Sequence, residues 1–157
     1  MQENTRVQLC QLVDSLGVRI PDNPPAISWL VNYSAFLYCI KSPHRDDGRT
    51  PYMRHKLRTY GKKVFEFGEG VQYRKRGQTN LDTRFNPGIY VGCRLVDEQH
   101  LVADSATGEI YTVRDVKQRP EEARFSFEEF NKAIVKCSFV GTPPKSSMTA
   151  NYIQMLP

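Results

Sequence analysis

Apolar residues recur at helical spacing through the first forty residues of the chain. Between Asn4 and Leu16 they follow one face, which predicts an amphipathic helix that Gly17 ends. A second helix is predicted from Ala26 to Ile40, and it is apolar on nearly every face. Such a helix needs neighbours on several sides, and two helices supply few of them. We therefore expect a missing part of a larger domain, or a partner, to cover it.

The hydrophobic period changes in the second third of the chain. A short helix is predicted from Pro51 to about Tyr60, because Thr50 can cap it and proline suits the first helical position. From Val64 onwards apolar and polar residues alternate, with glycine-rich turns between the apolar segments. The clearest hairpin spans residues 101–116. This pattern indicates short antiparallel strands.

These elements together predict an α+β chain: N-terminal helices, a small antiparallel SH3-like β-barrel and a short C-terminal helix. The predicted boundaries place a helical region at 1–60 and the barrel at 61–120. The C-terminal helix falls within 121–140, and 141–157 is expected to be a flexible tail.

Positive charge is concentrated in the middle of the chain. Residues 41–76 hold 11 Lys and Arg but 4 Asp and Glu, whereas residues 1–40 and 77–157 each carry a net charge of −1. The central segment therefore accounts for the whole excess of +5. A concentrated basic segment creates a local positive potential that favours a polyanionic partner. The alternative is a solvated basic surface without a partner.

The chain shows no sign of secretion or membrane insertion. No apolar run reaches the roughly 18 residues of a membrane span, and residues 2–6 are polar where a signal peptide has its apolar core. Cys10, Cys39, Cys93 and Cys137 are widely spaced, which predicts reduced thiols in an intracellular protein. We expect Cys10 and Cys39 to be small buried apolar residues.

No pattern in the sequence predicts a metal or a cofactor. His44, His55 and His100 lie far apart, and none has a Cys or His at ligand spacing, whereas a zinc site needs four clustered ligands. The glycines around Glu69 form too short a segment to cradle a phosphate, so we interpret them as a turn.

Three motifs follow one another along the chain. The apolar helix at 29–37 leads into a polar loop, and residues 47–52 (DGRTPY) come next. Residues 67–73 (FGEGVQY), 81–85 (LDTRF) and 88–92 (GIYVG) then follow in order. In this order and spacing, the region resembles the integrases of Copia-like and related retroelements, from the end of the catalytic core into the C-terminal barrel. The resemblance covers well over half the chain.

The resemblance implies DNA integration as the biological setting and a nuclear location. Integrases of this kind use two Asp and one Glu to hold two divalent cations, and the resemblance implies that these carboxylates precede the present segment. Glu3 is the nearest carboxylate, and no candidate Asp lies before it. We therefore assign no catalytic residue and expect a non-enzymatic fragment of a Pol polyprotein from a transposable element. Its expected partners are DNA and the rest of the integrase polyprotein or its oligomer.

The resemblance also implies that the barrel and the preceding helix contact DNA without sequence preference. The basic residues fit this role as flexible cations free to pair with phosphates. Those expected to bind nucleic acid are Arg54, Lys56, Arg58, Lys62, Lys63, Arg74, Lys75, Arg76 and Arg84. We expect binding to weaken after charge reversal at 74–76 and to persist in the presence of a metal chelator.

Two alternatives remain open at this point. Tyr73, Phe85 and Tyr90 on one barrel face, with Asp82 nearby, would suit a chromatin-type reader of methylated lysine, because aromatic rings attract such cations. The same aromatic residues would more commonly pack into the core. The second alternative is an active integrase in which another chain supplies the carboxylates.

Overall fold

A computed structural model describes residues 2–20, 24–75, 77, 79, 81 and 85–136. The helices are α1 (Gln2–Leu16), α2 (Pro24–Lys41), α3 (Pro51–Lys56) and α4 (Phe127–Lys136). The strands are β1 (Gly70–Tyr73), β2 (Asn86–Arg94), β3 (Gln99–Asp104), β4 (Ile110–Val113) and β5 (Val116–Gln118). A 3-10 turn at Glu121–Ala123 leads from β5 to α4. The predicted α+β class is therefore confirmed.

The five strands form one antiparallel sheet in the order β4-β3-β2-β1-β5. Within β2 and β3 the pairing register shifts between Tyr90 and Gly92, which marks a bulge in the longest strand. The predicted hairpin is confirmed, because β3 pairs with β4 from His100 opposite Val113 to Ala103 opposite Ile110. Among the described strands β4 and β5 are the two edges, so closure into a barrel stays a prediction.

The helix α2 covers the sheet and joins the helical and β regions. Its Leu30, Tyr33 and Phe36 are buried, and the Tyr33 hydroxyl donates to the carbonyl of Phe65 at 2.6 Å. The Tyr33 ring also meets the ring of Tyr90 edge-on, 6.3 Å between centroids. Because the contacts join α2 to the middle of β2, the predicted helical region and the predicted barrel share one core.

One side of α2 remains open to solvent. Ile27, Val31 and Tyr38 are 37%, 40% and 39% exposed, although α1, α3, α4 and β2 all pack against this helix. The expectation of an incompletely covered helix therefore holds for this stripe alone. The opposite face of α2 is covered by the sheet. The apolar pattern of the helix does not reveal this packing, because the strands follow later in the chain.

Three local predictions need correction. The helix α3 ends at Lys56 instead of near Tyr60, because Leu57 adopts the left-handed conformation that stops it. Phe65 is buried but lies outside the strands, since the chain turns at residues 67–68 and β1 begins at Gly70. Of the two cysteines predicted to be buried, Cys10 is exposed on α1 and Cys39 is half-buried on α2.

The described cysteines Cys10, Cys39 and Cys93 carry free thiols. Burial raises the pKa of the Cys93 thiol to about 11, which leaves it protonated at neutral pH and a poor nucleophile. Cys137 and the predicted tail at 141–157 lie outside the described residues.

Candidate nucleic-acid interface

The helix α3 is short and fixed at both ends. The Thr50 hydroxyl caps its start by accepting from the backbone N–H of Met53 at 3.2 Å, as predicted. At its end the Leu57 N–H donates to the Met53 carbonyl at 2.9 Å. A helix of this length is not stable alone, so contacts with the rest of the protein must hold it.

Helix α2 supplies some of those contacts, and the turn between β2 and β3, residues 95–98, supplies others, most of them to basic side chains. The Lys56 ammonium donates to the carbonyl of Val96 at 2.9 Å, and the Lys62 ammonium donates to the carbonyl of Glu98 at 2.8 Å. The Arg58 guanidinium pairs with the Glu98 carboxylate. Three cations therefore anchor the end of α3 and the segment after it to a turn that lies about forty positions further along the chain.

Glu98 is the centre of this arrangement. Its carboxylate is buried and also accepts a hydrogen bond from the hydroxyl of Tyr52, which is buried on α3. Burial, together with the hydrogen bond to this carboxylate, raises the pKa of Tyr52 to about 12. The backbone φ of Glu98 is 56°, an uncommon value for a residue other than glycine, which these contacts hold in place.

The remaining basic residues near α3 add to the positive charge. The Arg54 guanidinium forms a two-pronged contact with the carboxylate of Asp47 at 2.9 and 3.1 Å, and both side chains are exposed. Arg49 is exposed, and no acid pairs with its side chain in the part of the chain that the structure describes. We call the set of five cations the α3 surface: Arg49, Arg54, Lys56, Arg58 and Lys62.

The α3 surface keeps most of its charge despite these contacts. Its five cations contact two carboxylates, those of Asp47 and Glu98. Lys56 and Lys62 are bound to backbone carbonyls, which are uncharged, and each ammonium has three N–H donors to offer. Hydrogen bonds to carbonyls thus fix the position of these side chains without neutralising them.

A second basic group lies beside the first residues of β2. The Lys75 ammonium is 3.5 Å from the Asp104 carboxylate and 4.8 Å from the centre of the Tyr111 ring. Arg74 donates to the carbonyl of Thr79 at 3.2 Å. Burial alone would raise the pKa of Asp104, but hydrogen bonds from Tyr73 and from backbone N–H groups, aided by the charge of Lys75, lower it. Lys75 thus faces a carboxylate that stays ionised.

The two basic groups are separated along the sheet. The pairing of Tyr73 with Asn86 places the Lys75 group at the start of β2, whereas the pairing of Arg94 with Gln99 places the α3 surface at its end. Asp104, the partner of Lys75, is paired with Gly88, and Arg94 lies six positions further along β2, which is roughly 20 Å of extended chain. The charge density of residues 41–76 is therefore divided between two places.

Seven of the nine basic residues predicted to bind nucleic acid are described, and each has a partner within the chain. The partners of six are given above. The remaining one is Lys63, whose ammonium donates to the side-chain carbonyl of Gln118 and lies 5.3 Å from the centre of the Phe65 ring. These side chains are therefore not unpaired in the fold, because the folded chain brings acceptors against them, and their binding of nucleic acid stays a prediction. Arg76 and Arg84 lie outside the described residues.

Arg49 and Glu98 belong to this site but were not predicted. Arg49 lies inside the recognised DGRTPY motif, and its positive charge was the available signal. Glu98 gave no local signal, since it is an ordinary acid in a turn until the fold brings α3 beside it. No group of three or more His, Cys, Asp and Glu side chains in the described ranges is arranged to hold a metal ion.

The aromatic residues proposed for a methyl-lysine cage do not form an open face. Tyr73 and Tyr90 are fully buried, and the Tyr73 hydroxyl donates to Asp104 while Tyr90 packs against Phe65 and α2. Phe85 is half-buried, with the Lys117 ammonium 4.2 Å from its ring centre. Asp82 lies outside the described residues. Two of the three aromatic residues therefore belong to the core.

Comparison with known proteins identifies no relative. No protein-family model, no curated protein and no solved structure matches the chain. Within the described residues, no helix has both the length and the apolar character that crossing a membrane requires.

Proposed function

We propose that this protein binds the phosphate backbone of DNA through the α3 surface, with little preference for sequence. The observation that carries this proposal is that, in the described part of the chain, the five cations of the α3 surface form ion pairs with two carboxylates, those of Asp47 and Glu98. Phosphate contacts of this kind supply affinity and position, whereas sequence is read from base edges. The resemblance to retroelement integrases supports the same partner and suggests DNA integration as the setting.

The α3 surface is a better candidate than the group near Lys75. The Lys75 ammonium is close to the ionised Asp104 carboxylate and makes a cation–π contact with the Tyr111 ring. Binding a phosphate would require this ammonium to leave both contacts. Lys56 and Lys62 keep their charge while bound to carbonyls, and no acid among the described residues pairs with Arg49. We therefore expect the larger share of the binding energy from the end of the sheet near the β2–β3 turn.

No catalytic step is proposed for the chain by itself. An active integrase would need carboxylates from another part of its polyprotein or from another chain, as the resemblance implies. In that setting the α3 surface would hold DNA while the catalytic carboxylates act elsewhere.

The salt dependence of binding to a duplex tests the proposal. Four to five phosphate contacts predict that the logarithm of the affinity falls with the logarithm of salt concentration at a slope of about −4. The double variant Arg49→Gln with Arg54→Gln should reduce the magnitude of this slope by about 2, because each lost contact accounts for about 0.9. Fluorescence anisotropy with a labelled duplex at several salt concentrations measures both slopes.

The matched control is Arg6→Gln with Arg19→Gln, which removes the same charge from exposed positions in the N-terminal region. This control should keep the wild-type slope. Equal slopes for the wild type and the Arg49/Arg54 variant would contradict the assignment to the α3 surface. Affinity that does not change between dilute and physiological salt would contradict the proposal as a whole.

A further inference from the structure

Leu57 occupies a position that its side chain does not favour. Its φ is 58° and its ψ is 20°, in the left-handed region where glycine is usual, and its side chain is 83% exposed. The conformation strains a leucine, and the exposed side chain gains no compensating burial. The backbone bond to Met53 that ends α3 would form equally well with glycine. The fold of α3 therefore does not account for a leucine at this position.

The side chain of Leu57 borders an open hollow on the α3 surface. The hollow has a volume of about 350 Å³ and is lined by Arg49, Met53, Leu57 and Arg58. Two of these side chains are apolar, and two carry guanidinium groups. This volume lies at the lower end of the range for small-ligand sites, which is roughly 300–1,000 Å³.

The chemistry of the lining fits a flat aromatic ring that is joined to negative charge. Apolar side chains pack against the faces of an unstacked nucleobase, and planar guanidinium groups stack on them. The two guanidinium groups of the lining, those of Arg49 and Arg58, supply the positive charge. A base within an intact duplex is stacked between its neighbours and has no free face, so only an unpaired nucleotide could enter.

We propose that this hollow holds one unpaired nucleobase, stacked on Leu57 and Met53, while Arg49 and Arg58 contact the flanking phosphates. The proposal rests on DNA binding by the α3 surface and adds the kind of DNA that is preferred. The chain should favour DNA with a bulged or frayed nucleotide over a fully paired duplex. The strained, exposed leucine would then serve binding.

The test compares three DNA probes of nearly equal charge by fluorescence anisotropy. The first is a fully paired duplex, the second carries one bulged nucleotide, and the third carries an abasic nucleotide at the bulge. The wild type should bind the bulged base about fivefold more tightly than the abasic bulge, since covering roughly 40 Å² of the base with apolar side chains, at about 25 cal/mol per Å², corresponds to that ratio. The abasic probe separates base stacking from any effect of backbone flexibility.

Leu57→Gly is the informative variant, because it removes the side chain and relieves the left-handed strain. It should remain folded and keep the wild-type affinity for the paired duplex, while its preference for the bulged base over the abasic bulge falls to about one. Leu81→Gly is the control, since Leu81 is 94% exposed in a different part of the chain. It should leave the preference intact.

The two proposals fail in different ways. Equal binding of the bulged base and the abasic bulge by the wild type would overturn the unpaired-base site and leave DNA binding by the α3 surface standing. A preference that survives Leu57→Gly would also overturn it. Absence of salt-dependent binding to any of the three probes would overturn DNA binding itself.

Discussion

Replacing Glu98 by alanine should lower the stability of the protein and raise its affinity for DNA. The carboxylate of Glu98 accepts hydrogen bonds from Tyr52 and Arg58. Tyr52 is 3% exposed, so loss of its acceptor leaves a buried hydroxyl without a partner, at a cost of about 1–3 kcal/mol. The Arg58 side chain is 57% exposed, so solvent screening keeps its share below about 1 kcal/mol. We expect a total loss of about 2 kcal/mol.

Urea denaturation and thermal unfolding measure this loss. For a chain of 157 residues, 2 kcal/mol corresponds to a fall in melting temperature of about 6 °C. A double-mutant cycle with Tyr52→Phe isolates the buried hydrogen bond. The phenylalanine has no hydroxyl to leave unsatisfied, so the double variant should be about 1 kcal/mol more stable than additivity predicts.

The affinity for DNA should change in the opposite direction. Removing one negative charge about 8 Å from a phosphate makes the free energy of binding more favourable by at most about 0.5 kcal/mol in water. The affinity for DNA should therefore rise about twofold at low salt. Asp14→Ala makes the same charge change on the exposed face of α1 and should leave both quantities nearly unchanged. The role given to Glu98 is wrong if Glu98→Ala weakens DNA binding. It is also wrong if the stability losses of Glu98→Ala and Tyr52→Phe are additive.

Two further predictions concern the core. Burial, followed by repulsion from Lys62, lowers the pKa of His100 to about 4, below the 6.5 of the unfolded chain. Between these pH values the unfolded state is protonated at His100 and the folded state is not. The free energy of unfolding should therefore fall by up to about 3 kcal/mol as pH drops from 6.5 to 4. Urea titrations of His100→Gln should show a smaller decrease over the same pH range. Gly88→Ala would place a methyl group 2.4 Å from Val102 and 2.9 Å from the Tyr73 ring, and should cost about 1–3 kcal/mol in thermal unfolding. A Cβ on Gly61 meets nothing within 4 Å, so an equal loss in Gly61→Ala would refute that reasoning.

Local patterns predicted those parts of the fold whose cause lies within a few residues. Thr50 and the proline after it specify the start of α3, and alternation around the Asp104–Gly108 turn specifies the hairpin of β3 and β4. The end of α3 cannot be predicted from the apolar spacing. That spacing continues past Leu57, whereas the helical backbone conformation stops at Lys56. Backbone conformation at a single leucine depends on contacts that the spacing does not reveal.

The order of amino acids is enough to predict the amount of positive charge, its position between residues 41 and 76, and most of the helices and strands that carry it. Which of those charges act together depends on the fold. It brought a turn from after β2 against the segment after α3, and it placed Lys75 beside Asp104 at the start of β2. Charge composition is additive along a chain, whereas pairing depends on which groups are close in space, and the folded core sets that proximity.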